Sequence, residues 1–174
     1  TIDVAHFDIF TPEMLAESGG RELLCRHKAQ IFSGLQPGGA AILNADIPEF
    51  ALLRNLALHH TDRVLGFGRS EGATARMIEL ETDATASRLT VEVFGQRHSF
   101  SLPLPGAHMA MNALCALLAT SAAGFDTTEA IRSLERFEAV KGRARRIEAS
   151  LPDGGRITGI DDSFNATVAS MRST

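Results

Sequence analysis

Ala40-Ala-Ile-Leu43-Asn44-Ala-Asp46-Ile-Pro48-Glu49, then a helix-forming stretch to about His60, then Arg63-Val-Leu-Gly-Phe67, is the segment on which the fold turns. Ala40–Leu43 is a short apolar run of the kind buried on both faces of a parallel sheet. Asp46 stands where it can cap a helix, Glu49 where it can close a capping box, and Pro48 suits a first helical turn. Asn44 reads as a turn residue beside that cap. Strand, helix and strand at this spacing form a βαβ unit, which favours a parallel sheet.

Upstream, Ile2–Ile9 is apolar and bounded by Thr11-Pro12, which suits a strand end or a connector. Met14, Leu15, Leu23, Leu24, Ile31 and Phe32 recur at helical spacing, interrupted at Gly19-Gly20, and Gly34, Pro37, Gly38 and Gly39 mark a turn. Downstream, Ala75–Leu80, Arg88–Phe94 and Arg97–Leu102 alternate in character, with Phe94-Gly95-Gln96-Arg97 as a tight hairpin turn. The spacing predicts a helix from His108 to about Ala123, closed by Gly124, and a second starting at Thr127 or Thr128 and reaching about Phe137. Glu138–Arg146 reads as a basic loop. Arg146–Ser150 and Arg156–Ile160 read as strands joined at Asp153-Gly154-Gly155, and Asp161–Thr174 leaves the second strand for a helix. The expected fold is α/β: a mostly parallel sheet with flanking helices plus a small antiparallel insertion.

Composition narrows the function classes. The 174 residues carry 17 Lys plus Arg against 21 Asp plus Glu, 44% hydrophobic and 22% charged residues, so a globular core is expected and disorder is not. A net charge of −4, with ten Phe and no Trp or Tyr, offers neither a basic footprint nor a base-stacking platform, so nucleic acid is not an expected partner. No stretch of about 18 apolar residues occurs and no signal peptide opens the chain, so membrane insertion is not expected either. Cys25 and Cys115 lie in apolar helical contexts and read as buried free thiols of a reducing, cytoplasmic compartment.

Four segments carry candidate chemistry. In Gly106-Ala-His108-Met-Ala-Met-Asn112, a glycine precedes a helix that presents His108 and Asn112 on one face. A helix start favours anions, and an exposed amide reads a donor–acceptor edge, although both residues also serve as ordinary helix polars. Ile157-Thr-Gly-Ile-Asp161-Asp162-Ser163-Phe164-Asn165 runs a strand into carboxylates suited to ribose hydroxyls, or equally to capping a helix. Lys141-Gly142-Arg143-Ala-Arg145-Arg146 offers a phosphate grip or a solvated basic loop. His6 and Lys28 are each a lone side chain, a candidate ligand or a structural residue.

In order, these segments resemble the Mur ligases, the ATP-dependent amide-forming enzymes of bacterial cell-wall precursor assembly. Val4-Ala5-His6-Phe7 resembles the family's A-H-L segment. His27-Lys28-Ala29-Gln30-Ile31-Phe32 with Gly38-Gly39-Ala40-Ala41-Ile42-Leu43-Asn44-Ala45-Asp46 resembles A-K-x-E-I-F … G-G-x-A-V-L-N-A-D-D-P. Gly106–Ala113 resembles G-x-H-N-x-x-N-A. Lys141-Gly142-Arg143 with Ile160–Ala166 and Ser170-Met171 resembles K-G-R-G … I-D-D-S-Y-N-A-N-P-x-S-M, most characteristic of the branch that adds D-alanyl-D-alanine to a UDP-N-acetylmuramoyl-tripeptide. Met109 stands in place of the family's Asn, and Thr167-Val168 in place of Asn-Pro.

The resemblance implies a reaction in which a substrate carboxylate attacks the γ-phosphate of ATP and an amine then displaces phosphate from the acyl phosphate, with Mg²⁺ neutralising charge. It implies His6 as a metal ligand and Lys28 as the lysine carbamylated in these enzymes. It further implies His108 and Asn112 on the nucleotide helix, Arg143 at the phosphates and Asp162 at the ribose. The partners implied are the substrates, a UDP-linked muramoyl peptide and D-alanyl-D-alanine, of a cytoplasmic monomer that binds them mostly through its other domains. The chain opens on Thr1, and no G-x-x-x-x-G-K-[ST] loop occurs in it. It is therefore expected to be an inactive fragment, with 1–155 part of the central ATP-binding domain and 156–174 the start of the C-terminal domain. Other expectations are a folylpolyglutamate or cyanophycin synthetase-like ligase, or a non-catalytic nucleotide-binding module.

Overall fold

In a computed structural model, which describes residues 2–5, 19–139 and 145–161, the chain divides into two units, Thr1–Arg136 and Phe137–Thr174. The first runs β1 (Ile2–Ala5), α1 (Arg21–Ala29), a 3-10 turn (Gln30–Gly34), β2 (Ala40–Asn44), α2 (Phe50–Ala57) and β3 (Val64–Gly68). It continues with β4 (Ala75–Thr82), β5 (Ser87–Val93), β6 (Gln96–Leu102), α3 (Ala107–Ala122) and α4 (Thr127–Glu135). The six strands form one sheet in chain order.

Neighbours from β1 to β4 pair in parallel and those from β4 to β6 antiparallel. The expected α/β class therefore holds, with one difference of extent. The antiparallel strands are no separate insertion but half of the main sheet. The cause is the connection Arg69–Thr74. A fully overlapping parallel neighbour needs a crossover of a dozen or more residues, so β4 meets β3 at only Phe67↔Ala75 and Gly68↔Arg76. It therefore runs on beyond the C-terminal ends of the parallel strands, and β5 and β6 fold back along it. The β5–β6 turn is Phe94-Gly95, with φ of 49° and 78°, the left-handed pair that a type I′ hairpin requires.

Every residue of β2 is buried, as its unbroken apolar run predicts. Ala41 and Leu43 pack with Cys25, Ala29 and Phe32 from the α1 region and with Leu53 and Ala57 of α2. Fully burying a side chain such as Phe32 stabilises the fold by roughly 1.5–3 kcal/mol. Ala40 and Ile42 point to the opposite face and are also fully buried. That face is covered by α3, whose Ala110, Ala113, Leu114, Leu117 and Leu118 are buried and which contacts β1 to β5.

The cap expected at α2 is corrected. Asp46 does not cap α2, which begins at Phe50 with Glu49 at the cap position and no side-chain hydrogen bond there. The carboxylate of Asp46 instead accepts bonds from Arg69 N–H at 2.7 Å, Ser70 N–H at 2.9 Å and the Ser70 hydroxyl at 2.8 Å. Asn44 keeps its turn role, accepting from Asp46 N–H at 2.9 Å. Helix α4 starts at Thr127, as expected, and is capped by Asp126, whose carboxylate accepts from Glu129 N–H at 2.9 Å. Helix α2 also ends at Ala57, three residues short of the expected His60, in a turn.

In the second unit, β7 (Arg145–Ser150) and β8 (Arg156–Asp161) form the expected antiparallel hairpin. Its turn is closed by Leu151 N–H to the Gly155 carbonyl at 2.7 Å. Ile147, Ile157 and Ile160 are exposed on it. The sequence-based boundary at 155 and 156 falls between this turn and β8.

Candidate functional site at the start of helix α3

Helix α3 starts at a glycine because the backbone there demands one. Gly106 has φ 101° and ψ 141°, a conformation that L side chains rarely adopt. It is also short of space, since a Cβ would lie 2.9 Å from Cε1 of the His108 ring. The half-buried imidazole of His108 thus folds back over the cap residue, which explains a glycine two positions before it. Asn112 lies one turn further on the same face and is exposed, with its amide open to solvent. Glycine offers no capping side chain to the N–H groups of the first turn. The N–H groups of the first turn therefore remain available to an acceptor arriving from outside, the arrangement that suits an anion.

The ends of β2 and β3 meet nearby in the chain's plan, at the carboxyl edge of the parallel strands where α/β folds bind ligands. Here Asp46 locks the β3–β4 turn. Its carboxylate occupies the space beside Gly68, where a Cβ would come within 2.5 Å of Oδ1. Glu49 is only 6% exposed in its side chain and accepts from Arg21 Nη1 at 2.8 Å, while its Oε2 is buried with no hydrogen-bond partner. One turn along α1, burial pushes the Cys25 thiol up from its ordinary range, and the Glu49 carboxylate adds to the effect. Both cysteines are buried and stand outside any disulfide, as expected.

Of the six expected site residues, the structure describes three. His108 and Asn112 are brought together on α3. Lys28 is exposed in the last turn of α1, beside Arg26 and His27, where a cation also complements the helix dipole. His6, Arg143 and Asp162 lie outside the described residues. Among the described residues no group of three or more His, Cys, Asp or Glu is placed to hold a metal ion. The described donors alone therefore do not make a magnesium site. No described helix is long and apolar enough to cross a membrane.

Sequence reasoning missed Asp46 as a turn clamp, the buried Glu49–Arg21 pair and a hydroxyl pair, Thr82 and Ser87, at the root of α3. Only the pairing of Thr82 and Ser87 at a hairpin end was within reach of the alternating pattern. The partners of the other residues lie 23 to 28 positions away in the chain.

Residues 1–120 match the family model described as the Mur ligase middle domain. The chain is 34% identical over 155 residues to a UDP-N-acetylmuramoyl-L-alanyl-D-glutamate–2,6-diaminopimelate ligase of Caulobacter vibrioides, covering 88% of this chain and 32% of that protein. It is 34% identical over 119 residues to a UDP-N-acetylmuramate–L-alanine ligase of Mycobacterium leprae, covering 65% and 24%. Among solved structures, MurF from Acinetobacter baumannii superposes with a TM-score of 0.78 at 29% identity, covering 91% of this chain and 33% of that one. The chain thus spans about a third or less of the length of these relatives. With the G-x-H start of α3, the buried A-A-I-L-N strand and the mixed sheet all accounted for by one family, the chain belongs to the Mur ligases through their middle domain.

Proposed function

We propose that this chain supplies part of the ATP-binding core of an ATP-dependent ligase of peptidoglycan precursor synthesis, a cytoplasmic enzyme that forms an amide through an acyl phosphate. The observation that carries the reading is the start of α3. Gly106 removes the capping side chain, the first-turn N–H groups stay available, and Asn112 exposes an amide on the same face. Here the N–H groups face phosphate oxygens, His108 holds the glycine turn against them, and Asn112 reads the donor–acceptor edge of adenine. By resemblance, Arg143 is the proposed phosphate contact and Asp162 the proposed ribose contact. When bound, Mg²⁺ supplies charge neutralisation between the two anionic reactants. His6 and a carbamylated Lys28 are its proposed ligands by resemblance, and no step here depends on them.

The amine substrate we propose is D-alanyl-D-alanine, added to a UDP-N-acetylmuramoyl-tripeptide. Its support is the string Ile160-Asp161-Asp162-Ser163-Phe164-Asn165-Ala166 and the similarity to MurF of A. baumannii. A second reading, addition of diaminopimelate, is favoured by the relative from C. vibrioides. In either case residues 1–155 belong to the central domain and 156–174 open the next one. The test uses the full-length ligase, purified and assayed for phosphate release with each amine. Turnover with D-alanyl-D-alanine and none with diaminopimelate supports the first reading, and the reverse selects the second. Asn112→Ala raising the KM for ATP at least tenfold supports the nucleotide site, and an unchanged KM removes it.

A further inference from the structure

A helix start of the α3 type has a mechanical problem. A serine or threonine cap normally bonds the N–H of the third helical residue, and a glutamate or glutamine there bonds back to the cap's own N–H. Both halves are missing here, since the cap is Gly106 and the third helical residue is Met109. Thr82 fills one half from a distance. Its hydroxyl oxygen accepts from Gly106 N–H at 3.0 Å, across 24 positions of sequence. Thr82 is the last residue of β4 and pairs in register with Ser87, the first of β5. The Ser87 hydroxyl is fully buried, donates to the Leu104 carbonyl at 2.8 Å and lies 3.3 Å from Thr82 Oγ1. The closed end of the β4–β5 hairpin therefore holds both ends of the short loop 104–106 that leads into α3.

We infer that Thr82, backed by Ser87, is a positioning residue for the nucleotide: it anchors the Gly106 N–H from behind so that the N–H groups of the first turn stay open to phosphate. The inference rests on the nucleotide reading of α3 proposed above. A capping side chain on the helix itself would compete with the ligand for those donors. An acceptor on a neighbouring strand fixes the cap residue without occupying them. The antiparallel half of the sheet, which overshoots the parallel strands, is what brings such an acceptor to this point.

The test is made in the full-length ligase. Thr82→Val keeps shape and removes the acceptor, and the loss of one hydrogen bond is expected to raise the KM for ATP roughly fivefold, with kcat and the KM for the amine unchanged. Thr82→Ser restores the wild-type value. Thr82→Val combined with Met109→Gln, which supplies a neutral acceptor from the third helical position, restores it in part. A lowered melting temperature with an unchanged KM for ATP shows a purely structural role and overturns the inference. So does a Thr82→Ser variant as impaired as Thr82→Val. If Asn112→Ala raises the KM for ATP while Thr82→Val does not, only the positioning role falls. If neither does, the nucleotide reading falls and takes this role with it. Where Thr82→Val does not fold, Ser87→Ala is judged by the same KM criterion.

Discussion

Removing either side of the Arg21–Glu49 pair tests the packing of α1 against α2, and the two removals are expected to differ. The Glu49 side chain is 6% exposed while that of Arg21 is 50% exposed, with 2.8 Å between Nη1 and Oε1. Arg21→Ala leaves a buried carboxylate without this counter-charge, and its Oε2 already lacks a partner. Loss of one member of a fully buried pair costs about 3–5 kcal/mol. The half-exposed arginine lowers that figure through solvent screening, to about 2–3 kcal/mol. Glu49→Gln is the milder change. It keeps an acceptor of the same shape at Oε1, removes the buried charge, and leaves a guanidinium that water can reach. A cost of about 1 kcal/mol or less follows. The assay is urea unfolding followed by far-UV circular dichroism, since a chain without Trp or Tyr offers no useful intrinsic fluorescence. A Glu49→Gln cost equal to or above that of Arg21→Ala refutes the asymmetry and with it the assignment of the buried charge as the sensitive partner.

Three further outcomes are expected. Gly106→Ala should destabilise the fold by about 2–3 kcal/mol through its positive φ and the 2.9 Å approach of His108, and should weaken ATP binding in the intact enzyme, read by calorimetry. Gly68→Ala should cost at least as much, because the Asp46 carboxylate it strikes at 2.5 Å is held by its bonds to Arg69 and Ser70 and cannot easily yield. The melting temperature measures it, and Asp46→Ser in the same chain should recover part of the loss. Cys25, whose thiol is pushed above 9.0 by burial and then by Glu49, stays protonated in the folded state while an unfolded thiol ionises. Its contribution to stability is therefore complete below that pH and is lost as pH rises through the folded value. The native protein should resist a disulfide reagent at about pH 8 and react fully in urea.

The local signals in the sequence were strong where one stretch of chain settles its own structure. Ala40–Leu43 has no polar residue to turn towards water, so it had to be a strand covered on both sides. Phe94-Gly95 supplies the two left-handed residues of its turn with no outside help. Gly106 before His108 marks a strained helix start, and His108 and Asn112 fall on one face by spacing alone. Asp46 was misread because the N-A-D-x-P pattern is compatible with two partners, the helix ahead of it or a turn 23 residues later. Nothing within the local pattern ranks them. Glu49 was misread for the same reason, its partner standing 28 residues upstream at the start of α1.

By itself, then, the sequence determined the strand–helix alternation, the hairpins, the glycine-led helix and, through the order of its motifs, the family. Each of these depends on side chains a few positions apart, whose relation the backbone geometry sets directly. Only the tertiary structure decided how the sheet changes from parallel to antiparallel, which donors Asp46 and Glu49 serve, and that Thr82 anchors a helix 24 residues further on. These depend on which distant segments the short Arg69–Thr74 connection brings together, and a hydrogen bond or ion pair between them has no periodicity along the chain from which it can be read.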